Sequence, residues 1–89
     1  MHKIMITENE KIELLNLYER KNSLIELQVI ADKNYFNEFD KETIRSIKED
    51  IEKNDHDIAQ WWKVTLFKYG ISNDSNCYVR FSENCIYNY

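Results

Sequence analysis

The residues that could do chemistry are few and scattered. Asp55-His56-Asp57 sets an imidazole between two carboxylates, and Glu52 lies one helical turn before His56. That spacing would let a carboxylate and an imidazole share a metal ion or a proton. No third ligand converges on them in the sequence, and adjacent helical positions point in different directions, so a solvated helix face accounts for the group. His2 is the other histidine, and neither histidine has the spacing of a zinc motif. Cys77 and Cys85 are the only cysteines. A hairpin turning at Ser82 to Asn84 would set Cys85 opposite Phe81 and leave Cys77 about 13 Å further along, too far for a disulfide. A nucleophilic cysteine needs a nearby cation to lower its thiol pKa, and only Arg80 is near in sequence. The expectation is therefore a chain with no catalytic residue, no metal site and no cofactor.

The aromatic residues are better placed for binding. Trp61-Trp62 is an adjacent pair whose side chains diverge by about 100° on a helix. Both can be covered only where a helix meets another element. The pair either anchors a partner, as Trp and Tyr often do, or closes a small core beneath the C-terminal tail. Tyr69 follows near the end of the same segment. Tyr78, Tyr87 and Tyr89 lie in the tail, where an edge strand could add to a partner's sheet or simply cap its own. Trp61, Trp62, Tyr69 and Tyr87 are the candidate partner-binding residues.

The elements that must position these residues are legible from what is missing. The chain has no proline and a single glycine, Gly70, among 89 residues. Little interrupts helical periodicity before that glycine. Thr7-Glu8-Asn9-Glu10 reads as a capping box and starts a helix at about residue 8. Leu14, Leu17, Tyr18, Leu24, Ile25 and Ala31 recur at helical spacing to about residue 32, with Lys21 and Gln28 interrupting the face. Leu15, Leu27, Val29 and Ile30 widen it beyond what one helical partner needs. After a break over 34–39, Asp40 is a good N-cap, with Phe39 and Ile44 as its hydrophobic staple. A second helix then runs from about 41 to 69. Ile44, Ile51, Ile58 and Thr65 step by heptads, which suggests coiled-coil-like packing, and Asn54 and Asp55 stand where another apolar residue is due. Gly70 fits the left-handed position that ends a helix.

After a polar linker, Cys77-Val79-Phe81 and Cys85-Tyr87-Tyr89 alternate with Tyr78, Arg80, Ile86 and Asn88, a hairpin signal over 77–89. The predicted fold is mainly α, in one domain: a two-helix antiparallel hairpin, coiled-coil-like, carrying a short C-terminal β-hairpin supported by the tryptophans.

Composition bounds the partners. The net charge is −4 with acids and bases interspersed, so no basic stripe for direct nucleic-acid binding is visible. No apolar run approaches the roughly 18 residues of a membrane span. Acidic Glu8 and Glu10 come too early for a signal peptide. The expected setting is the cytoplasm and the expected partner a protein or peptide. The surplus apolar residues of the first helix further predict a homodimer, unless the β tail covers them.

Glu19-Arg20-Lys21-Asn22-Ser23-Leu24, Trp61-Trp62, Lys68-Tyr69 and Phe81-Ser82-Glu83-Asn84-Cys85-Ile86-Tyr87 together resemble the small bacterial CXXX repeat peptide modification system proteins. The tail here is one residue shorter between Cys85 and Ile86 than in that family's pattern. The resemblance implies an accessory protein that accompanies a radical-SAM maturase of cysteine-repeat peptides and binds the precursor peptide or the maturase. It carries no catalytic residue across. The competing expectation is a small inhibitor encoded by a mobile element, presenting an acidic helical surface to a nucleic-acid enzyme.

Overall fold

The computed structural model describes residues 2–33, 41–72 and 76–88. Its elements run β1 (His2–Met5), α1 (Glu8–Lys33), α2 (Lys41–Lys68), β2 (Cys77–Arg80), a 3-10 turn (Phe81–Glu83) and β3 (Cys85–Asn88). The expected helical hairpin with a C-terminal β-hairpin is present, and both helix boundaries fall within a residue of their predicted positions. The proposed Asp40 cap and the Phe39–Ile44 staple lie outside the described residues, as does Tyr89.

The start of α1 follows from its sequence. The Glu10 amide donates to the Thr7 hydroxyl (3.1 Å), and the Thr7 amide donates to Glu10 Oε1 (2.7 Å). This reciprocal cap satisfies two N–H groups that the first turn leaves without partners. The end of α2 is equally determined. Gly70 adopts φ +71°, its amide donates to the Phe67 carbonyl, and the Ile71 amide donates to the Leu66 carbonyl at 2.8 Å. That pair of bonds is a Schellman motif, and Ile71 packs back on the core that holds Leu66.

The helices run antiparallel. Glu10 meets Trp61 and Tyr69, Leu17 meets Asn54, and Lys21 pairs with Asp55 at 3.0 Å. Leu14, Leu24, Ala31, Ile47, Asn54, Trp61 and Thr65 are buried. Asn54 is 2% exposed and occupies a seam position of the heptad. Its Nδ2 donates to the Leu17 carbonyl at 3.2 Å, while its Oδ1 is buried without a partner.

The tail differs from expectation in one important respect. The sheet has three strands in the order β1-β3-β2, both pairings antiparallel. Residues at the N-terminus supply an unforeseen strand, with Ile4 opposite Ile86 and Lys3 opposite Tyr87. Tyr87 therefore lies on the central strand, not on an edge. The pairing is extended by the Ile6 amide donating to the Asn84 carbonyl at 2.9 Å. The turn is also one residue longer than expected: Arg80, not Phe81, lies opposite Cys85. Asn84 closes it with φ +52°, a left-handed conformation Asn tolerates better than most residues.

One face of the sheet supplies Ile4, Val79 and fully buried Ile86 to a core with Ile6, Leu14, Trp61 and Leu66. Burial of each such side chain contributes roughly 1.5–3 kcal/mol. The core thus sits at the sheet end, where the tryptophans support the tail as the sequence suggested.

Candidate functional site

Beside Trp61, a groove lies between α1 and α2 at the sheet end. Its volume is about 750 Å³. Helical spacing explains it. Glu10, Glu13, Leu17 and Arg20 recur on one side of α1, and Asp57, Trp61, Val64 and Lys68 on the facing side of α2. Leu17, Trp61, Val64 and Thr65 form an apolar strip, and charged residues rim it. Val64 is 56% exposed, and Phe67, one turn further along α2, is 86% exposed. Val64 belongs to the groove lining; Phe67 stands outside it.

Glu10 organises the sheet end of the groove. Its Oε1 accepts from the Tyr69 hydroxyl at 2.6 Å as well as from the Thr7 amide, and its Oε2 accepts from Lys68 Nζ at 3.0 Å. Its main-chain carbonyl accepts from Trp61 Nε1 at 3.0 Å. Burial works to raise the pKa of this carboxyl. The hydrogen bonds from Thr7, Tyr69 and Lys68 outweigh it and bring the pKa down to about 2. Glu10 is thus a fixed anion that joins the start of α1 to the end of α2.

The four aromatic candidates do not form one site. Trp61 is 7% exposed, its indole part of the core and only partly presented to the groove. Trp62 is half-buried on the sheet side, edge-on to Trp61 with centroids 5.0 Å apart, and its Nε1 donates to the Tyr18 hydroxyl. Tyr69 is held by Glu10. Tyr87 lies on the outer sheet face, stacked on Tyr78 at 5.5 Å with the Arg80 guanidinium 4.8 Å from its ring. Its hydroxyl donates to Glu83 Oε2 at 2.9 Å, which pushes the phenol up to about 12 and the carboxyl below the usual range.

The remaining reactive types are dispersed. Cys85 is fully buried and Cys77 half-buried; both are free. Cys77 pairs with Asn88 and Cys85 with Arg80, so the thiols face opposite sides of the sheet. Burial raises the Cys77 pKa, away from a reactive thiolate. His56 and Glu52 are exposed on α2, and Asp55 is tied to Lys21. Among the described residues, no three His, Cys, Asp or Glu side chains come together as a metal site.

Val64 is the residue sequence reasoning passed over; Phe67, expected to pack with Trp61, Trp62 and Tyr69 near Ile12 to Tyr18, instead stands 86% exposed. The signal was there: both are apolar yet fall off the heptad rows that carry Ile44, Ile51, Ile58 and Thr65.

The chain matches no protein-family model, and comparison with curated proteins and with solved structures gave no match either.

Proposed function

We propose that this chain is a non-catalytic accessory protein of ribosomal peptide modification, working in the cytoplasm and binding a precursor peptide or its maturase. The observation that supports binding is the groove. It combines an apolar strip, exposed Val64 and a rim of charges, on a two-helix frame. Such an arrangement suits a polypeptide better than a small metabolite, because it is long, open and without a polar cluster aimed at one point. The peptide-modification setting is supported by the resemblance carried by Glu19–Leu24, Trp61-Trp62 and the Phe81–Tyr87 tail. Self-association belongs to the same reading: Leu27, Val29 and Ile30 remain 40–45% exposed on α1, far from the sheet.

The test is titration calorimetry with a synthetic cysteine-repeat precursor peptide and, separately, with a radical-SAM maturase. Micromolar binding of either supports the proposal. Binding of neither, by protein shown to be folded, overturns it.

A further inference from the structure

We infer that the groove takes an amphipathic helix carrying basic residues, and does not take an extended segment; the inference rests on reading the groove as the partner site. Its walls are α1 and α2, whose main-chain donors and acceptors are engaged within the helices. An extended segment laid there would leave its own N–H and C=O groups without partners over an apolar strip, which is unfavourable. A helix satisfies those groups internally and needs only a side-chain stripe to match the groove. Extended partners suit a different feature, a sheet edge, and β1 and β2 are the outer strands of this sheet.

The dimensions agree. From Glu10 to Arg20 the α1 wall spans about 15 Å, or roughly three helical turns. Three turns present three or four apolar side chains at i, i+3 or i+4, and i+7, enough to cover Leu17, Trp61 and Val64, with exposed Phe67 one turn beyond Val64 on the same helix.

Charge specifies the occupant further. Glu13 rims the α1 wall and Asp57 the α2 wall, and neither has an ion-pair partner among the described residues. The Lys68 ammonium is committed to Glu10, leaving Arg20 as the rim cation to set against these two acids. The chain as a whole carries −4. A helix with lysines flanking its apolar stripe meets the two acids from opposite sides, and long-range attraction speeds its approach.

Three designed peptides of about 14 residues, long enough for the groove, test this. One is amphipathic with flanking lysines, one has the same composition scrambled to remove the stripe, and one carries glutamates for the lysines. The first should bind, gain helical circular dichroism, and lose affinity at least about tenfold on scrambling or charge reversal. Val64→Glu and Phe67→Glu, both at exposed positions, should weaken it by a similar factor. No binding by the first peptide, binding without helix gain, or binding indifferent to both substitutions overturns the inference. The two readings fail separately. A precursor or maturase that binds equally well to Val64→Glu and Phe67→Glu protein leaves the accessory function standing and removes the helical groove. A helical probe that binds where precursor and maturase do not does the reverse.

Discussion

Glu10 shows how much one side chain can do when three elements converge on it. In the sequence it is the last residue of a capping box, a local role set by its distance of three from Thr7. In the fold it also accepts from Tyr69 and Lys68, residues 59 and 58 positions away. Its side chain is 14% exposed, so these bonds are sheltered from competing water. The pH dependence follows in sign. The folded pKa of about 2 lies below the ordinary carboxyl value of 4.5, so its contribution is fully present above about pH 5 and is lost as pH falls from there toward 2. The size is on the order of 3 kcal/mol. Glu10→Gln should therefore lower the unfolding free energy at pH 7, measured by urea denaturation, and the gap to the parent should narrow as pH falls from 5 to 3. A gap that stays constant over that range would show that the carboxylate charge is not what binds the two helix ends. The local half of this role was legible in the sequence. The long-range half was not, because nothing near Glu10 signals that the end of α2 folds back onto it.

At the scale of elements, what could be read were the features that depend on neighbours along the chain. The cap at Thr7, the heptad of α2 and the stop at Gly70 all rest on local spacing, and all are found where expected. β1 escaped for the opposite reason. Its four residues, His2–Met5, show little alternation by themselves, and their partner strand begins at Cys85. Missing it misplaced Tyr87 from the centre of the sheet to its edge.

Two positions probe what holds the helices. A methyl group on Gly70 would meet no atom within 4 Å, so only the left-handed φ of +71° resists it. Gly70→Ala should cost about 1 kcal/mol and Gly70→Asn less, read as shifts in the denaturation midpoint. Equal costs for the two would argue that the Schellman geometry is not the constraint. Asn54 is different, because its buried Oδ1 has no partner. Asn54→Leu removes that unmet acceptor and should raise stability by about 1 kcal/mol, whereas Asn54→Asp, which buries a charge, should lower it by more than about 2 kcal/mol. A seam Asn costs stability and fixes register. The Leu variant should accordingly show broader amide resonances despite its higher midpoint. Sharp resonances with unchanged dispersion would deny Asn54 any part in setting the register.

The whole molecule is a rod, 49 × 23 × 22 Å, with its ends unlike one another. The sheet, the tryptophans, the Glu10 cluster and the groove all lie at one end. At the other end the buried residues, among those described, are Leu24, Ala31 and Ile47 of the two helices. There α1 shows Ile25, Leu27, Val29 and Ile30 to water, each 39–45% exposed, and the sheet is too distant to cover them. The expectation that the β tail might hide this surface is therefore not met. Leu27 and Ile30 share one flank of α1, and Ile25 and Val29 the other; we propose that a second copy covers the Leu27–Ile30 flank, since a two-fold axis buries the same residues on both chains at once and closes a four-helix bundle. In this proposal partner binding and self-association occupy separate ends of the rod. Sedimentation equilibrium at tens of micromolar should give a dimer mass, and Leu27→Lys with Ile30→Lys should return a monomer. Because those positions lie beyond Arg20, the monomeric variant should still bind the basic helical peptide within about twofold of the parent, as expected of independent sites. A parent protein that is monomeric at these concentrations would end the dimer proposal. A variant that loses the dimer and the peptide together would show that the two ends are not independent.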